Sequence, residues 1–212
     1  HFRGRLKSLN IIDKTVLKNN SKSGSSVVLI TPDSERTMNT FLGACREYSE
    51  ADLPIDELSD CKIFFTTGYM WDTDNQINAV EKAITAAKKS GAIIALDLAD
   101  PFVVDRTGIC FRKMMDEGIV DILFANAEEA RMLTGHHGEK AAKIISKSVK
   151  LVAVKDGANG SYIAYGDTVS HVPASPANPV DSTGAGDMYA GGFLFGLINN
   201  QSYENCARIG SV

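Results

Sequence analysis

Paired cysteines, long apolar runs and clusters of basic residues are scarce in this sequence, and each shortage removes a class of protein. Cys45, Cys61, Cys110 and Cys206 lie far apart, with neither the C-x-x-C spacing of a zinc site nor the density of a disulfide scaffold. They read as free thiols in a reducing compartment. No window approaches the ~18 uninterrupted apolar residues of a membrane-spanning helix, and the opening HFRGRLKSLN holds no apolar stretch of a secretory signal. The expectation is a cytoplasmic protein with no membrane partner. A formal net charge of -4 and the lack of a basic run argue against nucleic acid. Lys143, Lys147 and Lys150 read as a solvated helix face. Internal repeats and low-complexity tracts are also missing.

What remains is the composition of an ordinary globular protein: 212 residues, 44% hydrophobic and 23% charged, enough for one domain with a sizeable core. The chain starts without methionine and stops at ENCARIGSV inside a helical pattern, so it is expected to be a piece of a longer protein.

Short runs rich in Val, Ile and Phe, bounded by turn formers, predict buried strands at VVLIT (27–31), KIFFTT (62–67), AIIALDL (92–98), DILFAN (121–126) and LVAVK (151–155). Between them lie helical patterns. In DNQINAVEKAITAAKKSG, Ile77, Val80, Ile84 and Ala87 form one apolar stripe and Gly91 supplies the stop. Further helices are predicted around Arg112–Asp116, from near Glu128, and through KAAKIISKS. This alternation predicts the α/β class, a mostly parallel central sheet with helices on both faces. GSYIAYG and DTVSHVP, joined around Gly166 and Asp167, predict an antiparallel edge hairpin.

The chemistry concentrates in DSTGAGDMYAGG, residues 181–192. The first N–H groups of a helix lack intrahelical partners and, with the helix dipole, attract anions. Gly184 and Gly186 leave the backbone open to close approach, so Gly184, Ala185 and Gly186 can present N–H groups to a phosphoryl oxygen. Asp187 beside a bound anion makes sense if it faces the other reactant, a hydroxyl that loses its proton as it attacks phosphorus. On local sequence alone, a helix cap is the favoured use of that aspartate. The stretch is not G-x-G-x-x-G, since Tyr189 follows Gly186 by three, and no G-x-x-x-x-G-K-[ST] loop occurs.

These residues resemble the C-terminal signature of the ribokinase-like (PfkB) carbohydrate kinase family, D-T-x-G-A-G-D followed by a helix, with Ser182 in place of the threonine. NAEEA (126–130) resembles the family's N-x-x-E motif. VKDGANGSYI (154–163) resembles its nucleotide-flanking strand and glycine turn, although Lys155 stands where many members have threonine. TPDSERTMNTFLGA (31–44) and DLADPFVVDR (97–106) are most similar to the adenosine kinase-like branch.

The resemblance implies an ATP- and magnesium-dependent kinase acting on a hydroxymethyl group. Adenosine is the first candidate acceptor, with ribose, fructose or a sugar phosphate behind it. Asp187 is implied as base, with Gly184, Ala185, Gly186 and Arg36 at the transferred group. Asn126 and Glu129 would serve magnesium and phosphates, and Lys155, Gly157, Gly160 and Thr183 the nucleotide, with Asp181 a structural partner. It also implies a single domain over residues 1–212, residues 1–25 holding a remnant of the lid, and pairing into a homodimer through lid strands. The rival is a non-catalytic nucleotide- or ligand-binding kinase homologue, against which the intact GAGD argues.

Overall fold

Strand and helix alternate through most of the chain, as the periodicity predicts. The structure, a computed structural model, describes residues 2–31, 36–177 and 181–211. Helix α1 (Phe2–Ser8) leads to strands β1 (Ser25–Ile30) and β2 (Arg36–Phe41), and a helical turn α2 (Ile55–Leu58) precedes the main body. That body runs β3 (Ile63–Thr67), α3 (Asp74–Lys89), β4 (Ile93–Asp97), α4 (Pro101–Asp116), β5 (Ile122–Asn126), α5 (Ala127–Thr134), α6 (Gly138–Ile145) and β6 (Leu151–Lys155). It closes with β7 (Ser161–Tyr165), β8 (Thr168–Val172), α7 (Ala185–Ile198) and α8 (Tyr203–Gly210).

The main sheet has the order β3-β4-β5-β6-β7-β8. Its first four strands are parallel, each joined to the next through helix, and β7 and β8 return antiparallel as the predicted edge hairpin. Because side chains alternate across a strand, neighbours go to different layers. Leu123, Val152 and Val154 pack with Val80, Phe111 and Leu133 of α3, α4 and α5. Phe124, Ala153 and Ile163 pack with Tyr189, Phe193 and Cys206 of α7 and α8. Phe124 meets Phe193 edge-on, ring centroids 5.4 Å apart. Local signals set the helix starts: Thr73 caps α3 by accepting from the Gln76 N–H, and Asp100 caps α4 by accepting from the Phe102 N–H, with Pro101 at the first helical position. The predicted helix around Arg112 therefore begins well upstream, at Pro101.

One expectation is overturned. VVLIT was expected to be a buried strand, yet β1 pairs only with β2 in a separate two-stranded antiparallel sheet, and every residue of β1 is exposed. Val27 is 66% and Leu29 63% exposed. An apolar run predicts a strand, but the covering layer is contributed by other segments, which the run itself does not encode.

The four parallel strands end together, with Thr67, Asp97, Asn126 and Lys155 along one edge of the sheet. Thr67 is in register with Asp97, and Asn126 with Lys155. Ligands of open α/β sheets sit beyond this edge. Among the described residues no helix is long and apolar enough to cross a membrane, and all four cysteines are unpaired.

Candidate active site

The strand ends bring acid, amide and ammonium groups together. Asn126 ends β5 and caps α5, its amide oxygen accepting from the Glu129 N–H at 2.8 Å. Glu129 answers in kind: one oxygen accepts from the Asn126 N–H and the other from its side-chain amide, both at 2.7 Å. This is a reciprocal capping box, so the capping reading of this motif holds whatever else the pair does. Glu129 is only 1% exposed. Burial pushes its carboxyl up to about 7; the bond from the Asn126 N–H and the charge of Lys155 lower it, while Asp97 and Asp100 raise it further.

Lys155 ends β6 and reaches across β5 to Asp97 at the end of β4, with Nζ 2.7 Å from Oδ2. The second oxygen of Asp97 accepts from the Ala99 N–H at 3.0 Å, and Ala99 has the unusual φ of 73°. Tyr69, in the turn after β3, donates its hydroxyl to the Ala99 carbonyl at 3.4 Å. Burial raises its hydroxyl pKa, and Asp100, Glu129, Asp187 and Asp97 raise it further, in that order. Asp187, on a distant part of the chain, thus shares one electrostatic neighbourhood with the strand-end carboxylates.

The glycine turn arrives opposite. Gly184 precedes α7 with φ 79° in the left-handed region, where a side chain would be strained. The Thr183 N–H and hydroxyl both donate to Asp181 Oδ1, at 2.8 and 2.6 Å, so Asp181 organises the turn from within. Of the three N–H groups expected to face an anion, that of Ala185 already donates to the Ser182 carbonyl at 3.1 Å. Those of Gly184 and Gly186 have no partner among the described residues. Asp187 lies exposed in the first turn of α7. A side chain on Gly186 would begin 3.2 Å from Lys155 Nζ, so the ammonium borders the turn.

The two glycines after Lys155 differ. Gly157 faces open space with φ 54°, whereas a Cβ on Gly160 would sit 2.1 Å from the Val172 carbonyl oxygen. The missing side chain of Gly160 is thus required by the return of β8. Arg36 opens β2, and its side chain lies outside the described residues. Among the described residues no three His, Cys, Asp or Glu side chains converge as a metal cage. Asp97 is the site residue that the sequence left without a role; its signal is an aspartate closing an otherwise apolar strand.

Fold and site together define an α/β protein of the ribokinase-like class. Adenosine kinase from Sinorhizobium meliloti superimposes with a TM-score of 0.93 at 34% identity, over 99% of this chain and 65% of that one. The nucleoside kinase of Methanothermobacter thermautotrophicus is 26% identical over 212 residues, 99% of this chain and 65% of the relative. The cytidine kinase of Thermococcus kodakarensis is 41% identical over 96 residues, 43% of this chain and 34% of the relative. The chain therefore spans under two thirds of each of these relatives. The family model for pfkB family carbohydrate kinases matches residues 1–212, and the chain belongs to that family.

Proposed function

We propose that the full-length protein transfers the γ-phosphoryl group of ATP to a hydroxymethyl group of a nucleoside or sugar, adenosine first. The observation that carries this reading is the arrangement around α7. A left-handed glycine opens its first turn, free N–H groups and a lysine ammonium border it, and an exposed carboxylate, Asp187, sits one residue beyond. Asp187 takes the hydroxyl proton as the acceptor oxygen bonds to phosphorus, and the bond from phosphorus to the ADP oxygen breaks. The N–H groups of Gly184 and Gly186 stabilise the charge on the phosphoryl oxygens, with Ala185 shaping the turn. Arg36 is assigned to the same group by the family resemblance alone. Lys155, Gly157 and Thr183 line the nucleotide side, and Gly160 supports it through the fold.

The donor set suits magnesium held through water. Glu129 and Asn126 already occupy each other, so an ion beside them would be met through its water shell. When bound there, the ion would neutralise charge on the nucleotide phosphates. A cytoplasmic setting fits the unpaired cysteines.

The test uses the full-length protein. Asp187→Asn should lower turnover by about 10²–10⁴-fold, the range for loss of a general base, with ATP affinity retained because shape is kept. Turnover near wild type would sink the assignment. Wild-type protein that binds ATP yet phosphorylates no nucleoside or sugar would make it a non-catalytic homologue.

A further inference from the structure

We propose that Lys155 donates hydrogen bonds to the oxygens of the phosphoryl group in transit, and that Asp97 is a positioning residue acting through it; this rests on the phosphotransfer reading above. The pair joins strands that are not neighbours, since β5 lies between β4 and β6. Both side chains are largely removed from water, 15% exposed for Lys155 and 5% for Asp97. Desolvating two charges is costly, and apolar residues of similar volume would tie the strands as well. The placement of the pair points to another use.

Lys155 spends one of its three donors on Asp97, its one partner among the described residues. The ammonium lies against the first turn of α7, next to Gly186. A cation at the positive end of a helix is unfavourably placed for the protein alone. An anion arriving at the turn reverses that sign, because ammonium, helix end and free N–H groups then act on it together. Asp97 cannot swing away with the lysine, since its other oxygen is held by the Ala99 N–H. Gly186 matters here for what it lacks: a side chain would occupy the space between ammonium and turn.

During transfer the bond from γ-phosphorus to the ADP oxygen breaks, the bond to the acceptor oxygen forms, and the acceptor proton goes to Asp187. Lys155 keeps its own protons throughout and acts by charge and hydrogen bonding.

Three variants of the full-length enzyme test this: K155M, D97N and the double substitution. D97N keeps a carbonyl for the Ala99 N–H but turns an amide donor toward Lys155. K155M should lower kcat at saturating substrate by about 10²–10³-fold, the range for loss of one preorganised donor. Calorimetry should show ATP binding weakened while ADP binding is retained, because the contact is to the group that ADP lacks. D97N should shift both quantities in the same direction by less, and the double substitution should cost no more than K155M alone. Unchanged kcat together with an unchanged ratio of ATP to ADP affinity would overturn the proposal, and a lowered melting temperature with both retained would make the pair a structural staple. Should K155M fail to fold, D97N and K155Q, which removes the charge, carry the same two measurements, and wild-type values in both would overturn it. D187N is the control. An inactive D187N beside a fully active K155M rejects this inference alone, whereas a wild-type enzyme without turnover rejects the phosphotransfer reading and this inference with it.

Discussion

Glu129 is a carboxylate whose charge is in an unfavourable medium. Both oxygens are hydrogen-bonded, yet burial dominates and pushes its pKa from 4.5 up to about 7. The folded state therefore holds the proton more tightly than the unfolded chain. Stability from this group is greatest below pH 4.5, falls as pH rises toward 7, and is level above that. The total is about 3 kcal/mol at 1.36 kcal/mol per unit. In the protein without nucleotide or magnesium, E129Q should flatten this decline; its single amide oxygen can keep the capping-box bond from the Asn126 N–H, while the bond from the Asn126 side-chain amide is lost. Denaturant unfolding across pH 5 to 8 checks it, and an identical slope in wild type and variant would refute it. Asn126 and Glu129 were legible as a motif because their spacing is local. The depth of Glu129 was not, since it is set by the packing of α4, α5 and β6. Asp97 was harder still, because its partner Lys155 lies 58 residues away.

At the scale of elements, the turn from β6 to β7 separates two glycines that look alike in VKDGANGSYI. Gly160, with φ 95°, has the Val172 carbonyl where a Cβ would stand. Gly160→Ala should cost about 2–5 kcal/mol, adding backbone strain of about 1–2 to overpacking of about 1–3, and should loosen β8 first. Gly157→Ala meets nothing within 4 Å and pays only for its φ of 54°, about 1–2 kcal/mol. Urea unfolding of both variants distinguishes them, and equal losses would refute the argument. The sequence predicted a glycine turn correctly in kind, because turn chemistry is local. Which glycine the fold cannot replace depends on a strand that returns later. The same division explains why α3 was legible from its stripe and stop signal, while the long reach of α4 depended on reading Asp100 and Pro101 as a start.

At the scale of the whole molecule, the β1–β2 sheet is the part whose surroundings the sequence least disclosed. VVLIT correctly announced a strand, but its burial requires a layer that no described segment provides. Two strands alone are marginal in water. This pair is tied to the body at its base, where the Gln76 amide donates to the Cys45 carbonyl and Arg46 and Glu50 pair with Asp72 and Lys82. One of its faces carries Val27, Leu29 and Phe41, all more than half exposed, a surface of the kind that recruits a partner. We propose that this face carries the homodimer contact that the family resemblance implies. The 212-residue chain should then associate with rising concentration in sedimentation velocity. Leu29→Lys should shift it to monomer, because a lysine within an apolar contact would bury charge. The far-ultraviolet circular dichroism should be unchanged, since Leu29 lies outside both layers of the main core. A wild-type chain that stays monomeric at every concentration, or a lysine variant that associates equally well, would show that this face has a different use.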